Sequence, residues 1–120
     1  MQNFQAGDDL IFQIESGYGL MRILAIDEAE GGGKVWHLAA FNEFFPDIES
    51  ADAAAAAAET SLTVSNPHFV ITQRAFEATQ VARMGNRPVS ERERQLVEQW
   101  RQNPERHISD RSARLMLGLR

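Results

Sequence analysis

The chain has 120 residues, of which 43% are hydrophobic and 24% charged, and its formal net charge is −5. That length fits one domain with its own core, and the negative charge argues against nucleic-acid binding by the whole chain, because phosphate contacts dominate such affinity. Without cysteine it forms no disulfide or thiolate metal site, and without a long apolar run or a signal-peptide layout it is predicted to be cytoplasmic and away from membranes.

The charge is divided unevenly along the chain. Residues 1–82 hold twelve acidic and three basic side chains, a net of −9, whereas residues 83–120 hold nine arginines and five acids, a net of +4. Three interpretations are open. The two parts attract each other within the fold, the acidic part forms a surface for a basic partner, or the basic tail touches nucleic acid.

Residues 7–27 predict a tight β-hairpin. Large apolar side chains alternate with other residues over 10–15, a period of two that places three of them on one face. The turn at 16–19 holds Tyr18 between two glycines. The second arm, 20–26, is apolar on both faces and is therefore predicted to be buried.

A glycine-rich turn and a third strand follow. Three consecutive glycines at 31–33 have no side chains to pack and accept positive φ, which predicts a mobile turn. Residues 35–45 predict a strand that is apolar on both faces and therefore central, and Pro46 ends it. We expect Phe41 and Phe44 of this strand to lie in the core.

The alanine-rich residues 47–60 predict a short surface helix or a frayed loop. Alanine has the highest helix propensity and Asp47 is a suitable N-cap, but an isolated helix of this length is marginal without packing. Ile48 is the one large apolar residue that could anchor it. No function is predicted for the alanine run.

Two more strands and a helical turn complete the middle of the chain. Residues 62–72 predict a fourth strand, interrupted by a turn signal at 65–67. Residues 73–77 predict a single helical turn that buries Phe76, and 79–84 predict a fifth strand.

The last third of the chain has the period of helices. Ser90 and Glu93 have the spacing of a capping box, and the helix that they begin is predicted to end near Asn103, before Pro104. A second short helix is predicted to start at Ser109.

Five short strands followed by two helices favour an α+β fold that is mainly β. The most economical closure is a small SH3-like bent barrel of about five antiparallel strands followed by two C-terminal helices. We assign residues 1–88 to the barrel, with the low-complexity insert at 47–60, and residues 89–120 to a helical appendage packed on the same domain.

Residues 4–27 and 66–101 carry several short motifs. They are Gly7-Asp8 with Phe12, Gly17-Tyr18-Gly19 and Arg22-Ile23-Leu24, then His68-Phe69-Val70-Ile71-Thr72, Ala75-Phe76-Glu77, Pro88-Val89-Ser90 and Trp100. In these motifs the chain resembles the bacterial immunity protein 26-like family and related small bacterial domains. The resemblance implies a β-rich fold and the neutralisation of a toxin by direct binding, and it implies no catalytic residues.

The three histidines do not have the spacing of a metal site. His37, His68 and His107 lie 31 and 39 residues apart, whereas a zinc site needs three or four convergent ligands. We therefore predict no metal and no cofactor. His37 is predicted to be a hydrogen-bonded histidine inside the barrel, and His68 to brace the turn after Pro67.

Catalytic patterns are also missing from the sequence. No Gly-x-Ser-x-Gly elbow occurs, and a pair of acids would need a raised pKa on one of them to act in hydrolysis. The protein is therefore predicted not to be an enzyme, and an unrecognised hydrolase ranks third among the functional hypotheses.

The favoured hypothesis is a protein-binding module, and a toxin-neutralising immunity protein is its specific form. The predicted binding residues are Tyr18, Phe45, Asp27, Glu28 and Asp47. An aromatic-lined groove with an acidic rim suits a basic protein segment, and acids within 8–30 and 43–52 would steer it. The alternative is a nucleic-acid-associated module that uses the arginine-rich C-terminal helices.

Overall fold

A single five-stranded antiparallel sheet, with helices on both faces, forms the protein. The structure is a computed structural model that describes residues 3–119. Its elements are β1 (Asp8–Ile14), β2 (Gly17–Glu28), β3 (Lys34–Phe45), α1 (Ile48–Ala56), α2 (Ala58–Ser61), β4 (Val64–Thr72), α3 (Gln73–Glu77), β5 (Val81–Asn86), α4 (Glu91–Gln102) and α5 (Ala113–Met116). The strand order is β4-β3-β2-β1-β5. The α+β class, with five antiparallel strands, is confirmed.

The sheet is open, and the predicted closure into a barrel is not present. Within residues 3–119, no pairing joins β4 to β5. The outer edge of β4 is covered instead by Ser109, whose N–H donates to the Val70 carbonyl at 2.9 Å and whose carbonyl accepts from the Thr72 N–H at 3.0 Å. Because Ser109 takes these edge groups, it does not begin a helix as predicted. The last helix, α5, starts after Ser112.

The two faces of the sheet carry separate cores, as the alternation of side chains predicts. Leu10 and Phe12 on β1 lie in one core, which α3 and α5 cover. Ile11, between them, lies in the other core together with Leu20 and Phe41, under α1 and α2. Each large side chain buried in this way contributes about 1.5–3 kcal/mol, so the alternation fixes the register of the strands.

The alanine-rich insert belongs to the second core, contrary to the prediction of a surface helix or loop. Ile48, the predicted anchor, is 54% exposed. Four alanines spaced i, i+3, i+4 and i+7 pack on the sheet instead, each at most 7% exposed, namely Ala51, Ala54, Ala55 and Ala58. The predicted cap is confirmed, since the Asp47 carboxylate accepts from the Ser50 N–H at 2.7 Å.

Two local signals in the second half of the chain are confirmed, whereas the turn predicted at 65–67 does not interrupt β4, which is continuous there. Phe76 on the one-turn α3 is buried. Ser90 and Glu93 form the predicted capping box of α4, and Val97 of that helix packs against the sheet. None of the helices in residues 3–119 is long and apolar enough to cross a membrane.

Candidate functional site

A row of three hydrogen-bonded side chains lies beneath the C-terminal half of α4. His37 on β3 is fully buried, and its Nε2 lies 2.9 Å from Oδ2 of Asp27 on β2. On its other side, His37 Nδ1 lies 2.9 Å from Nε2 of His68 on β4. His37 pairs directly with Ala25 and Val70, so both partners are its diagonal neighbours across the sheet, within reach of long side chains.

The geometry fixes the hydrogen positions in this row when both rings are neutral. The planes of the two imidazole rings are within 6° of parallel, and their centroids lie 5.2 Å apart. The hydrogen-bonded nitrogens, 2.9 Å apart, lie between the two centroids, so the rings are arranged end to end and not stacked face to face. A carboxylate only accepts, so His37 Nε2 donates to Asp27 and His37 Nδ1 accepts from His68. His68 Nδ1 is then left with a lone pair and no hydrogen-bond partner among residues 3–119.

Two side chains of α4 close the row from above. Arg101 binds both oxygens of Asp27, with Nε 3.1 Å from Oδ2 and Nη2 2.5 Å from Oδ1. The Trp100 ring meets His37 edge to face, with centroids 4.9 Å apart, and its Nε1 donates to the His107 carbonyl. The Asp27 carboxylate is therefore shared between His37 on the sheet and Arg101 on the helix.

The electrostatics keep the row neutral at its histidines and negative at its acid. Burial lowers the pKa of His68 to about 4, and the neighbouring His37 adds to the effect. Burial also lowers the pKa of His37, although Asp27 opposes this. Burial acts to raise the pKa of Asp27, but its hydrogen bonds with Arg101 and His37 together lower it. At neutral pH the carboxylate is charged and both imidazoles are uncharged.

A second buried polar cluster holds the first turn of α4. Arg22 on β2 is 3% exposed and donates to the carbonyls of Gly7, Arg87 and Pro88. It also donates twice to the Glu93 carboxylate, at 2.8 and 3.2 Å. Because all its nitrogens are engaged with protein groups, this cluster fixes the helix to the sheet and offers nothing to a ligand.

Two of the acids that the sequence places among the steering charges lie in this cluster. Asp8 and Asp9 are buried. Arg83 donates to Asp8 at 3.1 Å, and Arg87 donates twice to Asp9, at 2.8 and 2.7 Å. These two acids are therefore absent from any acidic surface, because the basic last third of the chain neutralises them. Attraction between the two parts of the chain, one of the open interpretations, is present here and at the Arg101–Asp27 pair.

The five predicted binding residues fall into two groups at opposite ends of β2. Tyr18 and Phe45 are direct cross-strand neighbours, half-buried against the second core, and Asp47 follows as the cap of α1. Asp27 and Glu28 lie nine or more residues further along β2, about 30 Å away at the usual rise of a strand. The structure thus brings Tyr18, Phe45 and Asp47 together and separates them from Asp27 and Glu28.

The first group borders a surface that we call the acidic end. It consists of residues that follow one another closely in the chain between 43 and 52, namely Glu43, Phe44, Asp47, Ile48, Glu49 and Asp52. Phe44, predicted to be in the core, is 50% exposed. Its strand partner is Gly19, and the ring of Phe12, not Phe44, occupies the space above that glycine. Within residues 3–119 none of the four acids forms an ion pair.

Hydrogen bonds keep two of these acids ionised. The Thr63 hydroxyl and N–H lower the pKa of Glu43, and the Ser50 N–H lowers the pKa of Asp47. Within residues 3–119 no group of three or more histidines and acids could hold a metal ion.

Sequence reasoning missed the row of Asp27, His37 and His68 as a unit. It placed His37 in a hydrogen-bonded interior position, which is confirmed, but gave Asp27 and His68 separate roles. The glycine turn at 31–33 is the signal that could have joined two of them, because it folds β2 onto β3 and brings Asp27 near His37.

Comparison of the chain with models of protein families, with curated proteins and with solved structures gave no match. The functional proposals therefore rest on the side chains of this protein and on the family resemblance of its short motifs.

Proposed function

We propose that this protein is a cytoplasmic, non-enzymatic module that binds another protein through its acidic end. The observation that carries the proposal is that Phe44 and Ile48, each half exposed, lie in a stretch of chain, residues 43–52, that also holds four acids without ion pairs in residues 3–119. Large exposed apolar groups with a charged rim are typical of contact surfaces, where the apolar groups supply affinity.

The charge of this surface defines its partner. Between Lys34 and Arg74 the sequence contains no lysine or arginine, so the acidic end has no cation nearby in the chain. Uncompensated acids steer a basic partner and speed its association, while apolar anchors determine how long it stays bound. The partner that fits is a basic protein segment that carries an apolar residue.

The resemblance to the immunity protein 26-like family extends the proposal to a bacterial toxin that this protein neutralises by direct binding. The strand order β4-β3-β2-β1-β5, with the single turn of α3 between β4 and β5, supports the SH3-like relationship that belongs to the same proposal. In such barrels the first strand is likewise flanked by the second and the fifth.

The alternative, a nucleic-acid-associated module, has less support. Arg83, Arg87 and Arg101 of the basic last third are engaged with acids of the sheet. A titration with duplex DNA at low ionic strength distinguishes the two functions, because phosphate contacts would give affinity that falls steeply with salt.

The proposed function is tested by following backbone amide resonances while the full chain is titrated with short peptides rich in lysine and arginine, with and without one leucine. We expect shifts at residues 43–52 and at Tyr18, tighter binding with the leucine, and weaker binding at higher salt. The double variant Phe44→Ala, Ile48→Ala should lose the gain from leucine, and the matched control Leu115→Ala, exposed elsewhere, should retain it. Shifts that map away from the acidic end would refute the proposal.

A further inference from the structure

The Asp27 carboxylate has two hydrogen-bond partners, Arg101 and His37, and its negative charge favours the positively charged form of each. Arg101 holds both of its oxygens, and His37 Nε2 lies 2.9 Å from Oδ2. The guanidinium is always charged, so it neutralises the carboxylate and opposes a second positive charge on His37. A protonated His37 and a docked Arg101 therefore compete for the same acid.

The row can accept a proton from solvent without moving a side chain. A proton binds the lone pair of His68 Nδ1, and the proton on His68 Nε2 passes along the 2.9 Å bond to His37 Nδ1. One N–H bond forms at the surface, one breaks at His68 Nε2 and one forms at His37. His68 is then neutral again, and the positive charge rests on His37, beside Asp27.

We propose that Asp27, His37 and His68 form a proton relay that competes with Arg101 for the Asp27 carboxylate, so that proton uptake releases the C-terminal turn of α4 from the sheet. Coupling of this kind is reciprocal: docking of Arg101 weakens proton binding by the same factor by which the proton weakens docking. The relay lies at the opposite end of β2 from the acidic end and is independent of the proposed function.

The charged groups around the relay come from every element packed on it. Asp27 lies on β2, His68 on β4, and Arg101 and Glu98 on α4. Glu98 lies 3.3 Å from Arg101 and can hold the guanidinium after it leaves Asp27. Beyond them, Arg106 covers Trp100 with its guanidinium 5.7 Å from the ring. The Arg22 cluster that holds the first turn of α4 contains no histidine, so proton uptake releases only the last turn of the helix from the sheet.

The relay is tested by following the imidazole resonances of the full chain by NMR as the pH is lowered from neutral. Arg101→Gln removes the competitor, so the midpoint at which His37 and His68 take up their proton should rise by about half a pH unit or more. Arg94→Gln is the matched control, because Arg94 lies on the same helix in an exposed pair with Glu91. A midpoint unchanged in Arg101→Gln, or raised equally in Arg94→Gln, overturns the proposal.

Hydrogen exchange gives a second test, because side chains with only a structural role would not change the exchange rate of one turn of α4 with pH. Below the midpoint, amides at 99–103 should exchange several-fold faster, while amides at 94–97 keep their protection. Arg101→Lys keeps the positive charge but not the contact with both oxygens of Asp27, so its midpoint should lie between those of the wild type and Arg101→Gln. This variant replaces Arg101→Gln in the test if Arg101→Gln does not fold. Equal acceleration along all of α4, or no acceleration, overturns the release of the last turn.

Discussion

The two polar clusters beneath α4 anchor the same helix to the same sheet by different chemistry. At the first turn, Arg22 is surrounded by carbonyls and the Glu93 carboxylate, whose hydrogen bonds do not depend on pH near neutrality. At the last turn, Asp27 is shared with His37, and the row ends at His68 Nδ1, which has no hydrogen-bond partner in residues 3–119. Under the proposed relay, one end of the helix is fixed and the other responds to protons, so burial alone would not make a polar cluster structural.

Removing Arg22 should have the largest effect. Arg22→Met removes the hydrogen bonds that Arg22 donates to three carbonyls and to the Glu93 carboxylate, and we expect a loss of about 3–5 kcal/mol in the free energy of unfolding. Urea denaturation at neutral pH measures it. Arg92→Met, at an exposed position of α4, is the control and should change stability by less than about 0.5 kcal/mol. A loss of similar size in both variants would show that the cluster is no anchor.

Acidification should act on the other cluster with an intermediate effect. His68 has a pKa of about 4 in the folded protein and the ordinary 6.5 when unfolded, so the unfolded chain binds more protons between these values. Stability is therefore full above pH 6.5 and falls as the pH drops towards 4, by about 1–2 kcal/mol once partial exposure of the ring is allowed for. His68→Gln should flatten this part of the pH profile. A profile of unchanged slope in that variant would contradict the assignment.

The smallest expected effect is a difference in coupling energy between the two ion pairs in which an arginine binds both oxygens of an aspartate. A double-mutant cycle on Arg87 and Asp9 should give a coupling of about 1–2 kcal/mol that does not respond to histidine protonation, because the carboxylate is buried and its ion pairs are with Arg87 and Arg22. The cycle on Arg101 and Asp27 should give about 0.5–1 kcal/mol at pH 7 and less near pH 4, since the pair is partly exposed and competes with protonated His37. Couplings with the same pH dependence would remove the distinction between the two anchors.

Local features of the fold could be predicted from the sequence because neighbouring residues decide them. The alternation at Leu10, Phe12 and Ile14 predicts which side chains enter the first core, and the Ser90–Glu93 spacing predicts the start of α4. The alternation in β3 also places His37 on the buried face opposite Trp36, so an interior histidine was foreseeable.

Long-range features could not be predicted, because distant residues decide them. An alanine run has the same helix propensity on a surface as against a sheet, so nothing local shows that Ala51 and Ala54 fill a core. The covering of β4 by Ser109 joins residues about 38 positions apart, and it prevents closure of the sheet. The placement of His68 beside His37 depends on the pairing of β4 with β3, two strands that the alanine-rich helices separate in the chain.

The packing of the alanine run has a mechanical consequence for the acidic end. Three alanines of α1, Ala51, Ala54 and Ala55, are buried in the second core, so only small side chains lie between the helix and the sheet at these positions. Asp47 and Ile48 stand at the start of that helix, so a larger side chain at any of the three positions should displace both. Buried alanines thus set the position of Asp47 and Ile48 in the proposed contact surface, although they do not contact the partner themselves.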